Sequence, residues 1–318
     1  MERAVVAGVD GGGTKTECWV ADLQGQVLGR GTARGANLLA TERAAVQAAL
    51  QECLSEALQA AGRTVEDLRA VCLAIAGFWP GRVPDFTPEL FRSLFPEPIH
   101  IRLEPDVAAA LQSAVGDGPG IALIAGTGSI AFGRDAAGST VRAGGWGHLL
   151  GDEGSAYWIG LRAAQAALRS ADGREAETML ATTIPAAFGV ARPEELVAIA
   201  HQTDRLGKAG MAALAPLVSQ AAEAGDGVAA AILAAAANEL ALLATTAAAR
   251  LGMCQERFPV VAAGGVFHAG ERILAPLREQ IGAVCPHASL SVAPVRPAWG
   301  AVLFALKEAG VTKVVGDQ

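Results

Sequence analysis

The sequence predicts an α/β protein built from two domains that are copies of one fold. Its 318 residues are more than a single hydrophobic core ordinarily accommodates. Short apolar runs typical of buried strands alternate along the chain with stretches of helical periodicity. A shift of 113 residues also matches the first part of the chain to a later part, which indicates an internal duplication.

The duplication is carried by turn residues and hydroxyl residues. At this offset six pairs coincide: Gly13 with Gly126, Thr14 with Thr127, Thr16 with Ser129, Asp22 with Asp135, Gly25 with Gly138, and Gly31 with Gly144. Glycine and aspartate are the residues that tight turns favour. We therefore expect each copy to begin with a turn of glycines and hydroxyls between two strands.

The remaining pattern predicts strands and helices in alternation. Apolar runs bounded by turn residues predict strands at 5–9, 16–22, 27–33, 71–76, 99–103, 121–125, 130–134, 140–143, 259–263 and 289–293. Helical periodicity and capping residues predict helices at 41–61, 88–95, 106–114, 155–171, 194–201, 208–224, 229–251, 271–281 and 297–309.

Composition excludes several classes of protein. The chain is 52% hydrophobic and 18% charged, and its net charge is −7 without any basic block, so a nucleic-acid interface is not expected. Five scattered cysteines without a Cys-x-x-Cys pair indicate reduced thiols in a cytoplasmic protein. The apolar stretch 229–251 carries Asn238 and Glu239 at its middle, so we expect a buried helix and no membrane span.

The segment Asp10–Thr16 has the composition of a phosphate-binding turn. Its three glycines let the backbone turn sharply and bring N–H groups against phosphate oxygens. These glycines are Gly11, Gly12 and Gly13. The hydroxyls of Thr14 and Thr16 and the ammonium of Lys15 are further candidate donors to phosphate. Asp10, at the end of a predicted strand, is a candidate to orient water on a magnesium ion.

A plain glycine-rich hairpin turn also fits this segment, because the spacings of a Walker A loop and of a dinucleotide fingerprint are both absent. The second copy of the turn strengthens the phosphate hypothesis. Its residues are Gly126, Thr127, Gly128 and Ser129. Two such turns facing each other would hold the β- and γ-phosphates of a nucleotide from both sides.

Two further segments carry carboxylates in settings that suit chemistry. Asp106 precedes an alanine-rich helix, where it fits either a helix N-cap or a general base that accepts a hydroxyl proton. The segment Gly144–Ser155 combines glycines with an indole and two carboxylates, which suits a carbohydrate. For Trp146 core packing stays open, as does an N-cap role for Asp152 and a structural hydrogen bond for His148.

Smaller signals complete the candidate site. Gly264 and Gly265 follow a predicted strand, where they allow close approach of a flat ring such as adenine or form a simple strand-to-helix turn. Asn37 is a turn residue by default.

Together these segments resemble the BadF/BadG/BcrA/BcrD ATPase family of the actin/hexokinase/Hsp70 superfamily, and within it the N-acetylglucosamine kinase branch. The resemblance covers nearly the whole chain and is most specific over 145–155. It implies two RNase H-like domains, each a mixed five-stranded sheet with flanking helices, with a cleft between them. The implied domains are 1–115 plus 297–318, where the last helix returns to the first domain, and 116–296.

The resemblance also implies a role for each candidate residue. Asp106 is similar to the catalytic base, and Asp10 to the organiser of Mg²⁺. The implied sugar contacts are Asn37, Asp106, Gly145, Trp146 and Asp152. The implied contacts to ATP are Gly11, Gly12, Gly13, Thr14 and Lys15 in the first turn, Gly126, Thr127, Gly128 and Ser129 in the second, and Gly264 and Gly265 at the adenosine.

The activity implied is ATP-dependent phosphorylation of the 6-hydroxyl of an amino sugar, N-acetylglucosamine or glucosamine, by a homodimer. Two alternatives stay open. The family also contains ATPases that activate radical dehydratases and CoA reductases through an iron–sulfur cluster, although no cysteine here lies in a suitable glycine-rich loop. The chain would otherwise be a sugar sensor without turnover, against which the retained Asp10, Thr14 and Asp106 argue.

Overall fold

Ten strands and eleven helices run along the part of the chain that the computed structural model describes, which is residues 3–13, 15–38, 41–79, 87–95, 98–202 and 204–311. The strands are β1 (Val5–Gly11), β2 (Lys15–Asp22), β3 (Val27–Arg34), β4 (Leu68–Ile75), β5 (His100–Glu104), β6 (Gly120–Ala125), β7 (Ser129–Arg134), β8 (Thr140–Gly144), β9 (Pro259–Ala263) and β10 (Ser289–Val292). The helices are α1 (Arg43–Ala60), α2 (Thr87–Leu94), α3 (Asp106–Val115), α4 (Ala156–Ala171), α5 (Leu180–Ala187), α6 (Leu196–Gln202), α7 (Lys208–Ala212), α8 (Ala215–Glu223), α9 (Gly227–Arg250), α10 (Glu271–Val284) and α11 (Pro297–Glu308).

The chain divides into two units, each with its own sheet. The first comprises Met1–Asp117 and Val295–Gln318, and the second comprises Gly118–Pro294. The first sheet has the order β3-β2-β1-β4-β5, and the second has the same order with β8-β7-β6-β9-β10. In each sheet the first three strands are antiparallel and the last two run parallel to the first. Two mixed five-stranded sheets with flanking helices confirm the predicted fold class.

The predicted duplication is confirmed down to single hydrogen bonds in the β2–β3 and β7–β8 turns. The Oδ1 atom of Asp22 accepts from the backbone N–H groups two and four residues further on, at 3.0 and 2.8 Å. Asp135 does the same at 2.9 and 2.8 Å. The third residue after each aspartate is a glycine with positive φ, 91° at Gly25 and 87° at Gly138, a conformation that favours glycine.

Helix α11 joins the core of the first unit through backbone contacts. A Cβ atom on Gly8 of β1 would lie 2.2 Å from the backbone nitrogen of Val302, and one on Gly300 would lie 1.8 Å from the carbonyl oxygen of Ala109 in α3. Only glycine permits such approach. Helix α11 therefore packs directly on β1 and on α3, and so fixes the helix that begins with Asp106.

The helical region of the second unit differs from the prediction in two places. The expected single helix over 208–224 is wrong, because α7 ends at Ala212 and α8 begins at Ala215 with a proline in its first turn. Helix α5 was not predicted. Helix α9 is long and apolar enough to cross a membrane by length and composition, yet it packs among α8, α10 and the second sheet.

Candidate active site

In the first unit, the candidate residues gather at one edge of the sheet. Strands β1, β4 and β5 are parallel, so their carboxyl ends meet at the same edge. Asp10 lies in the last two residues of β1, and Asp106 follows β5 by two residues. This edge is where open α/β sheets bind their ligands.

A glycine turn leaves this edge between β1 and β2. The N–H of Gly12 donates to the carbonyl of Lys15 at 3.0 Å and closes the turn. A Cβ on Gly13 would meet no described atom within 4 Å, so the turn is open on this side. Thr14 lies outside the described residues. A phosphate-binding role for this turn stays a prediction.

The side chains that follow the turn are already engaged. The Lys15 ammonium is exposed and pairs with Glu17 at 3.1 Å. The hydroxyl of Thr16 is buried and donates to the carbonyl of Arg34 at 2.7 Å, so it holds β3. Among the described residues of this turn, contacts to a phosphate would therefore come mainly from the glycine backbone, with Lys15 as a surface charge.

Asn37 is held beside the same turn by its neighbours in the chain. Ala36 donates its N–H to the carbonyl of Gly12 at 3.0 Å, and Leu38 donates to the carbonyl of Ala76 at 2.9 Å. Because Ala76 follows β4, the half-buried Asn37 lies at the edge that also carries Asp10.

Asp10 is a half-buried carboxylate with other negative side chains nearby. Burial, followed by the charges of Asp106 and Glu17, raises the pKa of Asp10 from 3.8 to about 7, and the ammonium of Lys15 opposes the shift. Neighbouring carboxylates repel each other when ionised, and a divalent cation relieves that repulsion. The setting of Asp10 therefore fits the predicted magnesium.

No cluster of three or more histidine, cysteine, aspartate or glutamate side chains is placed to hold a metal among the residues described. A magnesium ion at Asp10 would accordingly take most of its ligands from phosphate oxygens and water, as Mg²⁺ does in nucleotide sites.

Asp106 is the first residue of α3, and Pro105 occupies the N-cap position, so the N-cap alternative for Asp106 is wrong. Its carboxylate accepts the N–H of Val107 at 2.9 Å. Burial raises the pKa of Asp106, and the backbone hydrogen bonds, which lower it, do not outweigh burial. The result is a half-buried carboxylate of raised basicity at the edge of the sheet.

In the second unit, the two predicted glycine segments touch each other at the equivalent edge. The N–H of Gly126 donates to the carbonyl of Gly128 at 2.9 Å, and the carbonyl of Gly126 accepts from the N–H of Ala156, the first residue of α4. Gly264 has a φ of 118°, and a Cβ there would lie 2.3 Å from the carbonyl oxygen of Ala125, at the end of β6. The candidate phosphate and adenosine segments are therefore adjacent.

These segments offer open backbone and one exposed hydroxyl. A Cβ on Gly126 or on Gly265 would meet no described atom within 4 Å. Thr127 is exposed, whereas Ser129 is buried and donates its hydroxyl to the carbonyl of Glu153 at 2.6 Å. Ser129 thus matches Thr16 of the first copy in structure, since each ties its own turn to a carbonyl further along the chain.

The 145–155 segment begins against the second turn. Gly145 donates its N–H to the carbonyl of Ser129 at 3.0 Å. The side chain of Trp146 is 59% exposed, with the guanidinium of Arg142 4.1 Å from the ring centroid, so the core-packing alternative is wrong. The ring of His148 makes an edge contact with Tyr157 at 4.9 Å between centroids.

Asp152 is the most unusual residue of the segment. It is 4% exposed, and its φ of 61° is positive, which no other described residue except glycine shows. A Cβ on Gly128 would lie 2.8 Å from its Oδ2 atom. Its N-cap alternative is wrong, because Ser155 caps α4 by accepting the N–H of Trp158 at 3.2 Å.

Sequence reasoning missed Lys208, which lies 3.5 Å from Oδ2 of Asp152. No sequence pattern marks this lysine, since it comes from α7, more than fifty residues away. The only signal was its scarcity, as one of four lysines in the chain.

A cavity of about 600 Å³ lies elsewhere in the second unit, between α4 and the start of α9. Trp158, Arg162 and Ile232 are among its lining residues, and none of the predicted site residues lines it.

Known proteins are similar in sequence to this chain over almost its full length. The model of the BadF/BadG/BcrA/BcrD ATPase family matches residues 7–305. An N-acetylmuramic acid/N-acetylglucosamine kinase of Clostridium acetobutylicum is 32% identical over 95% of this chain and 98% of its own. An N-acetyl-D-glucosamine kinase of Dictyostelium discoideum is 30% identical over 96% of this chain and 99% of its own.

The fold has a close structural counterpart as well. A crystal structure from Chromobacterium violaceum, provisionally named an N-acetylglucosamine kinase, superposes with a TM-score of 0.75. It is 29% identical in sequence, and the match covers 95% of this chain and 99% of the other.

Proposed function

Because the chain belongs to the BadF/BadG/BcrA/BcrD ATPase family, we propose that it is an ATP-dependent kinase that phosphorylates the 6-hydroxyl of an amino sugar, N-acetylglucosamine or glucosamine. The observation that carries the proposal is Asp106, a half-buried carboxylate of raised pKa at the sheet edge that also carries Asp10 and the first glycine turn. The two full-length relatives named as amino-sugar kinases support it.

Backbone N–H groups of the two glycine turns bind the phosphates of ATP in this proposal. The open sides of Gly13 and Gly126 leave room for phosphate oxygens, and Thr127 adds a hydroxyl donor. Phosphoryl transfer depends mostly on positioning and on stabilising charge, which fixed backbone donors supply without reorganisation. Gly264 and Gly265, adjacent to the second turn, bind the adenosine.

Asp106 accepts the proton of the sugar hydroxyl as that hydroxyl attacks the γ-phosphate. A base is most effective when its pKa approaches the working pH, and burial moves the pKa of Asp106 in that direction. The N–H of Val107 donates to Oδ1 of this carboxylate and so helps to fix its orientation.

Asp10 would orient water on a magnesium ion, and the bound metal would neutralise charge on the transferring phosphate. The sugar lies against the exposed face of Trp146 and forms hydrogen bonds with Asn37, the backbone of Gly145, and Asp152.

The homodimer and the cytoplasmic location also stay proposals. Five cysteines without a disulfide in the structure, four of them buried, suit a compartment that is reducing and supplies ATP.

A panel of sugars incubated with ATP and Mg²⁺ tests the function. We expect product of one added phosphate with N-acetylglucosamine or glucosamine, and we expect ³¹P–¹H NMR to locate the phosphate on O6. N-acetylmuramic acid and glucose belong in the panel as competing acceptors.

The Asp106→Asn variant completes this test, with an expected loss of about 10²-fold or more in turnover, the scale of a general base. ATP hydrolysis that needs no sugar, or sugar binding without any sugar phosphate, would overturn the proposal in favour of an activating ATPase or a sensor, respectively.

A further inference from the structure

Asp152 combines a buried carboxylate with a strained backbone, and both are unfavourable unless neighbouring groups stabilise them. Its carboxylate is buried, and its backbone has a φ of 61°. Burying a charge is unfavourable unless it is paired, and a positive φ in a residue with a side chain is strained. Strain and burial of this kind concentrate at functional sites.

Lys208 provides the charge that pairs with this carboxylate. Its ammonium lies 3.5 Å from Oδ2 of Asp152, and its side chain is 41% exposed against 5% for Asp152. Lys15 pairs with the half-buried Glu17, and Lys307 pairs with the exposed Asp117. Among the lysines that the structure describes, Lys208 is thus the one whose partner is buried.

The position of Lys208 is fixed by backbone packing. It is the first residue of α7, and α7 lies against α4 so closely that a Cβ on Gly160 would be 1.8 Å from the carbonyl oxygen of Met211. Helix α4 in turn begins at Ala156, whose N–H donates to Gly126 of the second glycine turn. The lysine is therefore held on the same framework as the turn.

The Oδ2 atom of Asp152 lies close to both Lys208 and the second glycine turn. It lies 3.5 Å from the Lys208 ammonium and 2.8 Å from the place a Cβ on Gly128 would occupy. Oδ1 lies 3.2 Å from the same place, so both oxygens are near the turn and the ion pair with Lys208 runs through Oδ2. Oδ1 is therefore the oxygen that can accept a hydrogen bond from a ligand.

We infer that Lys208 is a positioning residue for the sugar site, which holds the Asp152 carboxylate in its strained orientation so that Oδ1 can bind a sugar hydroxyl. The inference rests on the proposed function for the identity of the ligand. The helical region between β8 and β9, where no sequence motif indicates a functional residue, would thus contribute Lys208 to the sugar site.

Removal of the lysine should weaken sugar binding more than it slows transfer. Without its partner the buried carboxylate would turn towards solvent, so Lys208→Met should raise the sugar Kd and KM about 10-fold or more. Because Lys208 acts on binding, kcat should stay within about 3-fold, as expected for an interaction equal in ground and transition states.

The experiment measures the Kd of N-acetylglucosamine by calorimetry and, separately, steady-state phosphorylation, in wild type, Lys208→Met, Lys208→Arg, Asp152→Asn and the double variant Asp152→Asn/Lys208→Met. Lys307→Met is the matched control, since it removes a lysine ion pair outside the site. Thermal melts establish that each variant is folded.

We expect Lys208→Arg to restore most of the sugar affinity, Lys307→Met to leave it unchanged, and the double variant to bind no worse than Asp152→Asn alone. Unchanged sugar affinity in Lys208→Met, or additive losses in the double variant, would overturn the inference. The proposed function fails instead if wild type binds the sugar and transfers no phosphate to it. In that outcome the affinities still decide the role of Lys208.

Discussion

Gly300 packs directly on the carbonyl oxygen of Ala109, at a distance that leaves no room for a Cβ atom. The contact joins α11, from the end of the chain, to α3, whose first residue is Asp106. A helix nearly two hundred residues away in sequence therefore fixes the helix that carries the proposed base.

Gly300→Ala is accordingly expected to destabilise the protein strongly. The new Cβ would lie 1.8 Å from a backbone oxygen, so α11 or α3 must shift, at a cost of about 1–3 kcal/mol or more. Urea unfolding measures the loss, and turnover should fall with it because Asp106 moves.

Gly282→Ala is the matched control. Gly282 is exposed in α10, and a Cβ there would meet nothing within 4 Å, so alanine should stabilise the protein by about 0.5–1 kcal/mol through its helix propensity. Equal effects of the two substitutions would contradict the packing account.

The pH dependence of activity should reflect the raised pKa of Asp106. The base works only when ionised, and burial raises its pKa above the ordinary 3.8, so kcat/KM should decline on the acid side at a higher pH than an exposed aspartate would produce. The residual activity of Asp106→Asn should lack this decline. A decline of the same midpoint in that variant would assign it to another group.

Trp146→Ala should impair sugar binding without impairing stability. The ring is 59% exposed, so its removal should change the unfolding free energy by less than about 0.5 kcal/mol, while the sugar KM rises about 3- to 10-fold through loss of stacking. Leu149→Ala, at an exposed position of the same segment, is the control. A similar rise in the sugar KM in both variants would indicate a general disturbance of the segment.

Asp226 should contribute to stability at neutral pH and lose that contribution in acid. Burial raises its pKa, but hydrogen bonds from the N–H of Ala229, the hydroxyl of Thr178 and the N–H of Met179 outweigh burial and lower it below 3.8. A lowered pKa stabilises the fold above the ordinary value, and this contribution disappears as pH falls through 3.8 and then through the folded-state pKa.

Asp226→Asn should therefore lower the unfolding free energy by about 1–3 kcal/mol at pH 7, the scale of hydrogen bonds to a charged group, and by progressively less below pH 4. Denaturant unfolding across this range measures both. Glu223→Gln, at an exposed position of α8, serves as the control. A loss that stays constant with pH would show that the charge of Asp226 plays no part.

Much of the site was predictable because it is encoded locally. The match of the family model over residues 7–305 confirms the resemblance drawn from the glycine turns and the 145–155 segment. Glycine turns need glycine at fixed positions, which the sequence shows directly. In the β2–β3 and β7–β8 turns, Asp22 and Asp135 accept the same hydrogen bonds because the same turn occurs in both copies. The roles proposed for Asn37, Asp106, Trp146 and Asp152 in binding and catalysis stay predictions.

Some local alternatives could be decided only by seeing the surroundings. An aspartate before a helix suits an N-cap in sequence, yet Pro105 takes that position for α3 and Ser155 takes it for α4. Tryptophan is a residue type that often packs in a core, but Trp146 is 59% exposed, with the guanidinium of Arg142 over its ring.

By itself, the sequence determined the order of the strands and of most helices, the duplication, and the residues of each glycine turn, because each depends on neighbours within a few positions. Only the tertiary structure decided that α11 holds α3 and that Lys208 meets Asp152, since both contacts join segments far apart in the chain. The chemistry of Asp10 and Asp106 likewise came from folding, because burial raises the pKa of both carboxylates and neighbouring negative charge raises that of Asp10 further.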